Sequence, residues 1–266
     1  MNTIGPYKLD NIYCGECSAM MTELPDDCID LTVTSPPYDN LREYRGYVFD
    51  FEPIARQLYR VTKPGGIVVW IVGDATVNGS ETGTSFRQAL GFMEVGFKLH
   101  DTMIYRKPHI AFPDSNRYYQ CFEYMFVLSK EYVKTFNLIK DRKNIGEGRK
   151  VTGLDRNQNG SFKERSGLGQ NYPSHSVRFN DWELSNSQRD ITDSHPAIFP
   201  EALARDHIIS WSNPGDIILD PFCGSGTTCK AAKQFGRHYL GFEISQEYVD
   251  LANKRLFQTN PPLFTL

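Results

Sequence analysis

Two short segments of this 266-residue sequence hold residue types and spacings that can do chemistry. The first is Asp220-Pro-Phe222-Cys-Gly224-Ser-Gly226-Thr227-Thr228. An apolar run, 217–220, ends in an acid. Two glycines then allow a tight turn and close approach of a ligand, and a helical pattern begins near Thr227. A helix N-terminus there offers unpaired N–H groups to a carboxylate or phosphate. Glu243 ends the next apolar run, where its carboxylate can accept hydrogen bonds from both ribose hydroxyls of a nucleoside. The third spaced glycine of a dinucleotide fingerprint is missing, as is the Gly-Lys-Ser/Thr of a phosphate loop, so a nucleoside fits better than a pyrophosphate. The second segment is Thr34-Ser35-Pro36-Pro37-Tyr38. Its prolines stiffen the loop and leave carbonyls without competing donors. Ser35 can accept a hydrogen bond and Tyr38 offers a flat face, which suits a planar ring bearing an exocyclic amine. Taken alone, the commoner reading of such a segment is a proline turn with a buried tyrosine.

The elements that must position these loops alternate. A β-branched run over 28–34 stops at the prolines, and 51–61 has apolar residues at helical spacing. Lys63-Pro64-Gly65-Gly66 reads as a helix stop and turn before the buried-type strand Ile67–Val72. A helix over 85–96 and strands over 98–105 and 121–128 follow. After a patternless stretch, 141–194, come a helix over 200–210, a strand over 217–220, a helix over 227–235, a strand over 238–243 and a helix over 246–257. Such alternation predicts an α/β protein: a Rossmann-like, mostly parallel sheet with helices on both faces and an irregular insertion. The longest apolar run, Ile67–Val72, is too short to span a membrane, and MNTIGPYKLD lacks a secretory pattern. Six cysteines without secretory context read as reduced thiols in a cytoplasmic protein. Cys14-x-x-Cys17 has no second CxxC or paired histidines and reads as structural thiols rather than a zinc site. His175, His195 and His207 are scattered.

The net charge of −3 gives no reason to expect a nucleic-acid partner. Yet residues 130–165 hold ten Lys/Arg and five acids, so this window is +5 and the remainder −8.

Taken together, Ser-Pro-Pro-Tyr followed by Asp-Pro-Phe-Cys-Gly-Ser-Gly-Thr-Thr resembles the S-adenosylmethionine-dependent DNA amino-methyltransferases, which modify N4 of cytosine or N6 of adenine. Cys14-Gly15-Glu16-Cys17, Lys63-Pro-Gly-Gly66 and His195-Pro-Ala-Ile-Phe-Pro200 are similar to further landmarks, in the order of the permuted beta group. The resemblance implies a catalytic half over 1–130, a target-recognition region over 131–194, and a cofactor-binding half of the same domain over 195–266. It implies that Asp220, Phe222, Gly224 and Gly226 hold the cofactor, that Thr227 and Thr228 cap the helix facing its carboxylate, and that Glu243 binds the ribose. Ile244 would pack on the adenine, Phe199 and Pro200 would line the pocket, and the Glu16-Cys17 pair would lie against the adenine. Ser35, Pro36, Pro37 and Tyr38 would hold a target base flipped from the duplex. Glu16 departs from the family's usual aspartate. Serine ahead of the prolines mostly marks cytosine-N4 enzymes in the family, whereas Asp or Asn marks adenine enzymes.

In that setting Arg142, Lys143, Arg149 and Lys150 become expected phosphate contacts. DNA is the implied partner, with or without a cognate restriction endonuclease, for a monomer or homodimer. No cysteine follows a proline directly, so the nucleophile of cytosine-C5 enzymes is missing. The rival readings are adenine-N6 methylation, RNA amine methylation at a distance, and a catalytically silent nucleic-acid-binding protein on the same fold.

Overall fold

Strands that lie between two helical layers must be apolar on both faces, and the central strands of this chain are. The computed structural model describes residues 2–37, 49–108, 115–184 and 200–259. Tyr38 and Phe199 lie outside the described residues. In chain order the main-sheet strands are β1 (Asn11–Cys14), β2 (Ile29–Thr34), β3 (Thr62–Val72), β4 (Lys98–Arg106), β5 (Phe122–Ser129), β6 (Asp181–Glu183), β7 (Ile217–Asp220) and β8 (His238–Glu243). The helices are α1 (Cys17–Thr22), α2 (Phe51–Val61), α3 (Thr84–Val95), α4 (Glu201–Trp211), α5 (Thr227–Gln234) and α6 (Gln246–Phe257).

The sheet order is β6-β4-β5-β3-β2-β7-β8-β1. All neighbours are parallel except the two pairs made by β5. From the centre, β2 leads through α2 to β3 on one side, and β7 leads through α5 to β8 on the other. The β2–β7 boundary is therefore the topological switch point, and the crevice beyond the strand ends there is where open α/β sheets bind ligands.

Side-chain alternation sends Val68, Trp70 and Val72 of β3 into one layer with Ile54 and Leu58 of α2 and Phe92 of α3. Ile67, Val69 and Ile71 enter the other layer with Leu203 and Ile208 of α4, Ala231 of α5 and Ala252 of α6. Each such fully buried aliphatic or aromatic side chain contributes about 1.5–3 kcal/mol. α2 shows the local logic: Ile54, Leu58 and Val61 recur at helical spacing on its buried face. Pro53 sits in the first turn, where its missing N–H has no intrahelical partner to lose.

Lys63–Gly66 is not a free turn. The strand extends back to Thr62, because Gly65 donates to the Lys130 carbonyl at 2.8 Å and the Lys130 N–H to Gly66 at 3.1 Å. Gly65, with φ +81°, provides the bend that the sequence signalled. His207 is fully buried, stacked on Trp182 at 4.6 Å between ring centroids.

Residues 138–179 form a second compact unit, narrower than the 131–194 expected, since β6 belongs to the main sheet. Within it the chain runs out and back as an antiparallel ribbon. Arg142–Lys143 pairs with His175–Ser176, Lys150 bridges Asn171, and Leu154–Arg156 pairs with Phe162–Glu164. Among the described residues no helix is long and apolar enough to cross a membrane.

Candidate functional site at the switch point

The two chemical loops leave neighbouring parallel strands. β2 pairs with β7 through Leu31–Ile218 and Thr32–Leu219, so Ser35-Pro36-Pro37 and Asp220 emerge side by side at the carboxyl edge. They are joined directly: Thr34 Oγ1 donates to Asp220 Oδ1 at 2.7 Å, and both side chains are buried. The Phe222 N–H also donates to Asp220 Oδ1, at 3.2 Å. Burial pushes the Asp220 carboxyl up to about 6, despite opposing hydrogen bonds from Thr34, Thr228 and the Phe222 N–H, and the charge of Glu243 adds to the rise. Pro36 is buried, and Ser35 and Pro37 are half-buried.

Past Asp220 the backbone turns through Gly224, with φ +49°, and Gly226, with φ +79°. A Cβ on Gly226 would lie 2.9 Å from the Ala252 Cβ of α6, so this position needs both the left-handed conformation and the missing side chain. Gly226 is the N-cap of α5 and leaves the first-turn N–H groups without a side-chain cap. Neither Thr227 nor Thr228 caps the helix. Thr228 Oγ1 donates to the Val33 carbonyl at 3.2 Å, and Thr227 Oγ1 accepts from Arg255 at 3.4 Å. As first-turn residues they brace the loop from behind. Arg255 also donates to the Ser225 carbonyl at 2.6 Å and to Glu201 at 3.0 Å, and Glu201 accepts from Lys230 at 2.5 Å. This brace joins residues 28 to 54 apart in sequence, and no local signal marks it.

Glu243 closes the site from β8. Its Oε2 accepts from the Gly224 N–H at 3.0 Å and its Oε1 from the Ser245 N–H at 2.9 Å. Each carboxylate oxygen keeps a lone pair for a hydroxyl donor. Burial raises its carboxyl above the usual range, against the lowering effect of those N–H donors. Ile244 beside it is exposed, Phe222 is half-buried against Phe49 and Trp70, and Pro200 is a buried residue at the start of α4.

Glu16 is committed to a different task. Both its carboxylate oxygens cap α1, accepting from the Ser18 N–H at 3.0 Å and the Ala19 N–H at 2.8 Å, and Ser18 Oγ adds a bond at 2.6 Å. Reaching an adenine amine would compete with that cap. The Cys17 side chain is buried in the layer of α1 and α2, so its backbone alone can face a ligand. Cys14 is exposed.

This donor and acceptor set fits S-adenosylmethionine. Left-handed glycines give close approach, uncapped N–H groups meet a carboxylate, Glu243 suits vicinal hydroxyls, and buried Asp220 offsets positive charge. Among the expected DNA contacts, Lys143, Arg149 and Lys150 are exposed. Arg142 folds back onto the Val177 carbonyl at 3.1 Å and lies 4.3 Å from the Phe179 ring centre. Lys130 is no DNA contact: its buried ammonium bonds Asp27 at 2.6 Å and the Tyr59 carbonyl at 2.8 Å. The positive window survives without it, because 138–179 alone holds nine Lys/Arg against four acids.

Known proteins are similar to this chain over most of its length. An orphan methyltransferase of Bacillus amyloliquefaciens, M.BamHII, is 58% identical over 244 residues, covering 89% of this chain and 92% of its own. The type II methyltransferase M.BglII of Bacillus subtilis is 28% identical over 92% of this chain and 68% of its own. The solved structure of the cytosine-N4-specific PvuII DNA methyltransferase superposes with a TM-score of 0.69 at 22% identity, covering 96% of this chain and 87% of that one. The N6/N4 methyltransferase family, described as DNA methylase, matches residues 29–254. This chain therefore belongs to the family of S-adenosylmethionine-dependent DNA amino-methyltransferases.

Proposed function

We propose that the protein transfers a methyl group to the N4 amine of cytosine within a specific DNA sequence. The observation that carries the choice of base is a serine, Ser35, ahead of Pro36-Pro37 at the carboxyl end of β2, where Asp or Asn would mark an adenine enzyme. The fold likeness to the cytosine-N4-specific PvuII enzyme supports the same choice. S-adenosylmethionine supplies, when bound, an electrophilic methyl group on a cationic sulfur. The cytosine amine is a poor nucleophile because its lone pair is delocalised into the ring. Ser35 Oγ and the Pro36 carbonyl accept its two N–H groups and localise that lone pair on the nitrogen, facing the methyl group. The stiff proline loop fixes the amine in line with its acceptor carbon, which supplies proximity. The methylated nitrogen is cationic and acidic, so loss of its proton needs no strong base. Tyr38 stacks on the flipped ring.

In this reading Asp220, Phe222, Gly224, Gly226 and Pro200 surround the cofactor. Glu243 holds its ribose and Ile244 covers its adenine. The unit 138–179 recognises the target, and Lys143, Arg149 and Lys150 meet phosphates. The likeness to an orphan methyltransferase supports an enzyme without a partner endonuclease. The test is to incubate protein, unmethylated DNA and cofactor, digest to nucleosides and identify the product by mass spectrometry. N4-methylcytosine is expected, and N6-methyladenine would overturn the choice of base. Ser35→Ala should cut single-turnover methylation at least tenfold with unchanged cofactor affinity by calorimetry; equal loss of both would refute the role of Ser35.

A further inference from the structure

The ribbon 138–179 closes at a tip, 157–161, that is rigid and unevenly dressed. Its turn is locked from within. The Asn157 N–H donates to the Ser161 carbonyl at 2.7 Å and Asn157 Nδ2 to Ser161 Oγ at 2.9 Å. Asn159 Oδ1 accepts from the Ser161 N–H at 3.1 Å and from Ser161 Oγ at 2.7 Å. Gly160, with φ +83°, supplies the left-handed step. Two of the three consecutive amides are thus spent on the turn, and the one between them, Gln158, is exposed. Among the described residues neither Gln158 nor the exposed Arg156 has a side-chain hydrogen bond or ion pair.

The two faces of the hairpin differ. On one, Asp155 lies opposite Lys163 and bonds Arg165 at 3.0 Å, so charge is matched internally. On the other, Arg156 lies directly opposite Phe162, which is 66% exposed. That face presents a guanidinium and an aromatic ring next to the free amide of the tip. A two-stranded ribbon, with strands about 4.8 Å apart, enters a DNA major groove about 12 Å wide. Guanidinium groups pair bidentately with guanine, glutamine amides with adenine, and an apolar ring contacts the thymine methyl.

We propose that the tip of this ribbon reads bases in the major groove, with Gln158 recognising an A·T pair and Arg156 a G·C pair of the target sequence. This assignment rests on the reading of 138–179 as the DNA-contacting unit, and it adds the residues that specify sequence to those that only bind phosphate.

The full-length enzyme tests it on DNA of randomised sequence, with methylated sites identified by sequencing. Gln158→Ala should relax selection at one A·T position and lower cognate methylation by roughly ten- to a hundredfold. Its affinity for non-cognate DNA and its salt dependence should stay unchanged. Arg156→Ala should relax one G·C position. The double variant Arg149→Gln/Lys150→Gln should weaken binding to all sequences alike and reduce the salt slope by about two. If the double variant binds as the parent does, the reading of the unit itself fails. If it behaves as expected while Gln158→Ala keeps the parent's sequence profile, or loses activity equally on every sequence, the base-reading role is overturned and the tip is only surface.

Discussion

Thr34→Val removes one hydrogen-bond donor from the junction of the two loops and almost nothing else. Thr34 is buried, its Oγ1 donates to Asp220 Oδ1 at 2.7 Å, and valine fills the same space. The Asp220 carboxyl already stands at about 6 because it is buried, held from rising further by the Thr34 and Thr228 hydroxyls and the Phe222 N–H. A hydrogen bond to an ionised group stabilises it by about 1.5–3 kcal/mol, and each pKa unit is 1.36 kcal/mol, so losing the donor raises Asp220 by roughly one to two, to neutral pH. S-adenosylmethionine carries an ammonium and a sulfonium, so it binds best when Asp220 is ionised. Parent affinity should therefore be level above about pH 7 and fall, by up to about tenfold per pH unit, below about pH 6.

The assay is calorimetric titration of the cofactor into each protein from pH 5.5 to 8.5, without DNA. Taking the ratio of parent to variant affinity cancels any ionisation of the ligand. That ratio should be close to one at pH 8.5 and climb to roughly tenfold or more by pH 6. Thr34→Ser, which keeps the hydroxyl, should follow the parent. A ratio that stays constant with pH would mean that valine merely deforms the loop, and the proposed electrostatic link would be wrong.

Asp220→Asn tests the same carboxyl through stability. Its raised pKa contributes stability that is fully present below the unfolded value near 3.9 and lost as pH rises through about 6, so the ionised form costs the free protein about 3 kcal/mol at neutral pH. The asparagine variant should melt several degrees above the parent at pH 8, by a margin that narrows toward pH 5, and should gain no further stability from the cofactor; a variant less stable than the parent at pH 8 would contradict this. Gly226→Ala forces φ +79° on an L-residue and drives a methyl to 2.9 Å from Ala252. A loss of about 1–3 kcal/mol in urea unfolding, with weakened cofactor binding, is expected, and parental behaviour in both would refute the need for glycine.

The parts of the site that were legible in the sequence are local in origin. An apolar run closed by an acid, a glycine turn and a helix start are each set by backbone preferences within a few residues, and β7, Gly224, Gly226 and α5 formed where those preferences placed them. Lys63–Gly66 was misread because a turn signal describes the local chain only. Pairing with the strand that ends at Ser129 and with Lys130 draws those residues into β3. Lys130, counted in the positive window, is taken out of it in the same way, since its partner Asp27 lies 103 residues away. The ribbon escaped notice because its paired segments are only two or three residues long, too short to establish an alternating pattern.

The least legible feature is the bond that joins the two loops. Thr34 and Asp220 are 186 residues apart, and nothing near either residue announces the other. What joins them is the pairing of β2 with β7, which makes the switch point. Each half is a strand, a loop and a helix that would place its loop at the same sheet edge in either chain order. In the proposed roles, an early base-holding loop and a late cofactor loop would therefore build the same site as the reverse arrangement, provided the two strands remain neighbours. The unit 138–179 lies between the halves in sequence and contributes no strand to the main sheet, so it lengthens a connection without entering the β2–β7 pairing. The substitutions that most damage the enzyme without touching substrate should accordingly lie at that junction, among Thr34, Thr228 and the Val33 carbonyl that Thr228 bonds.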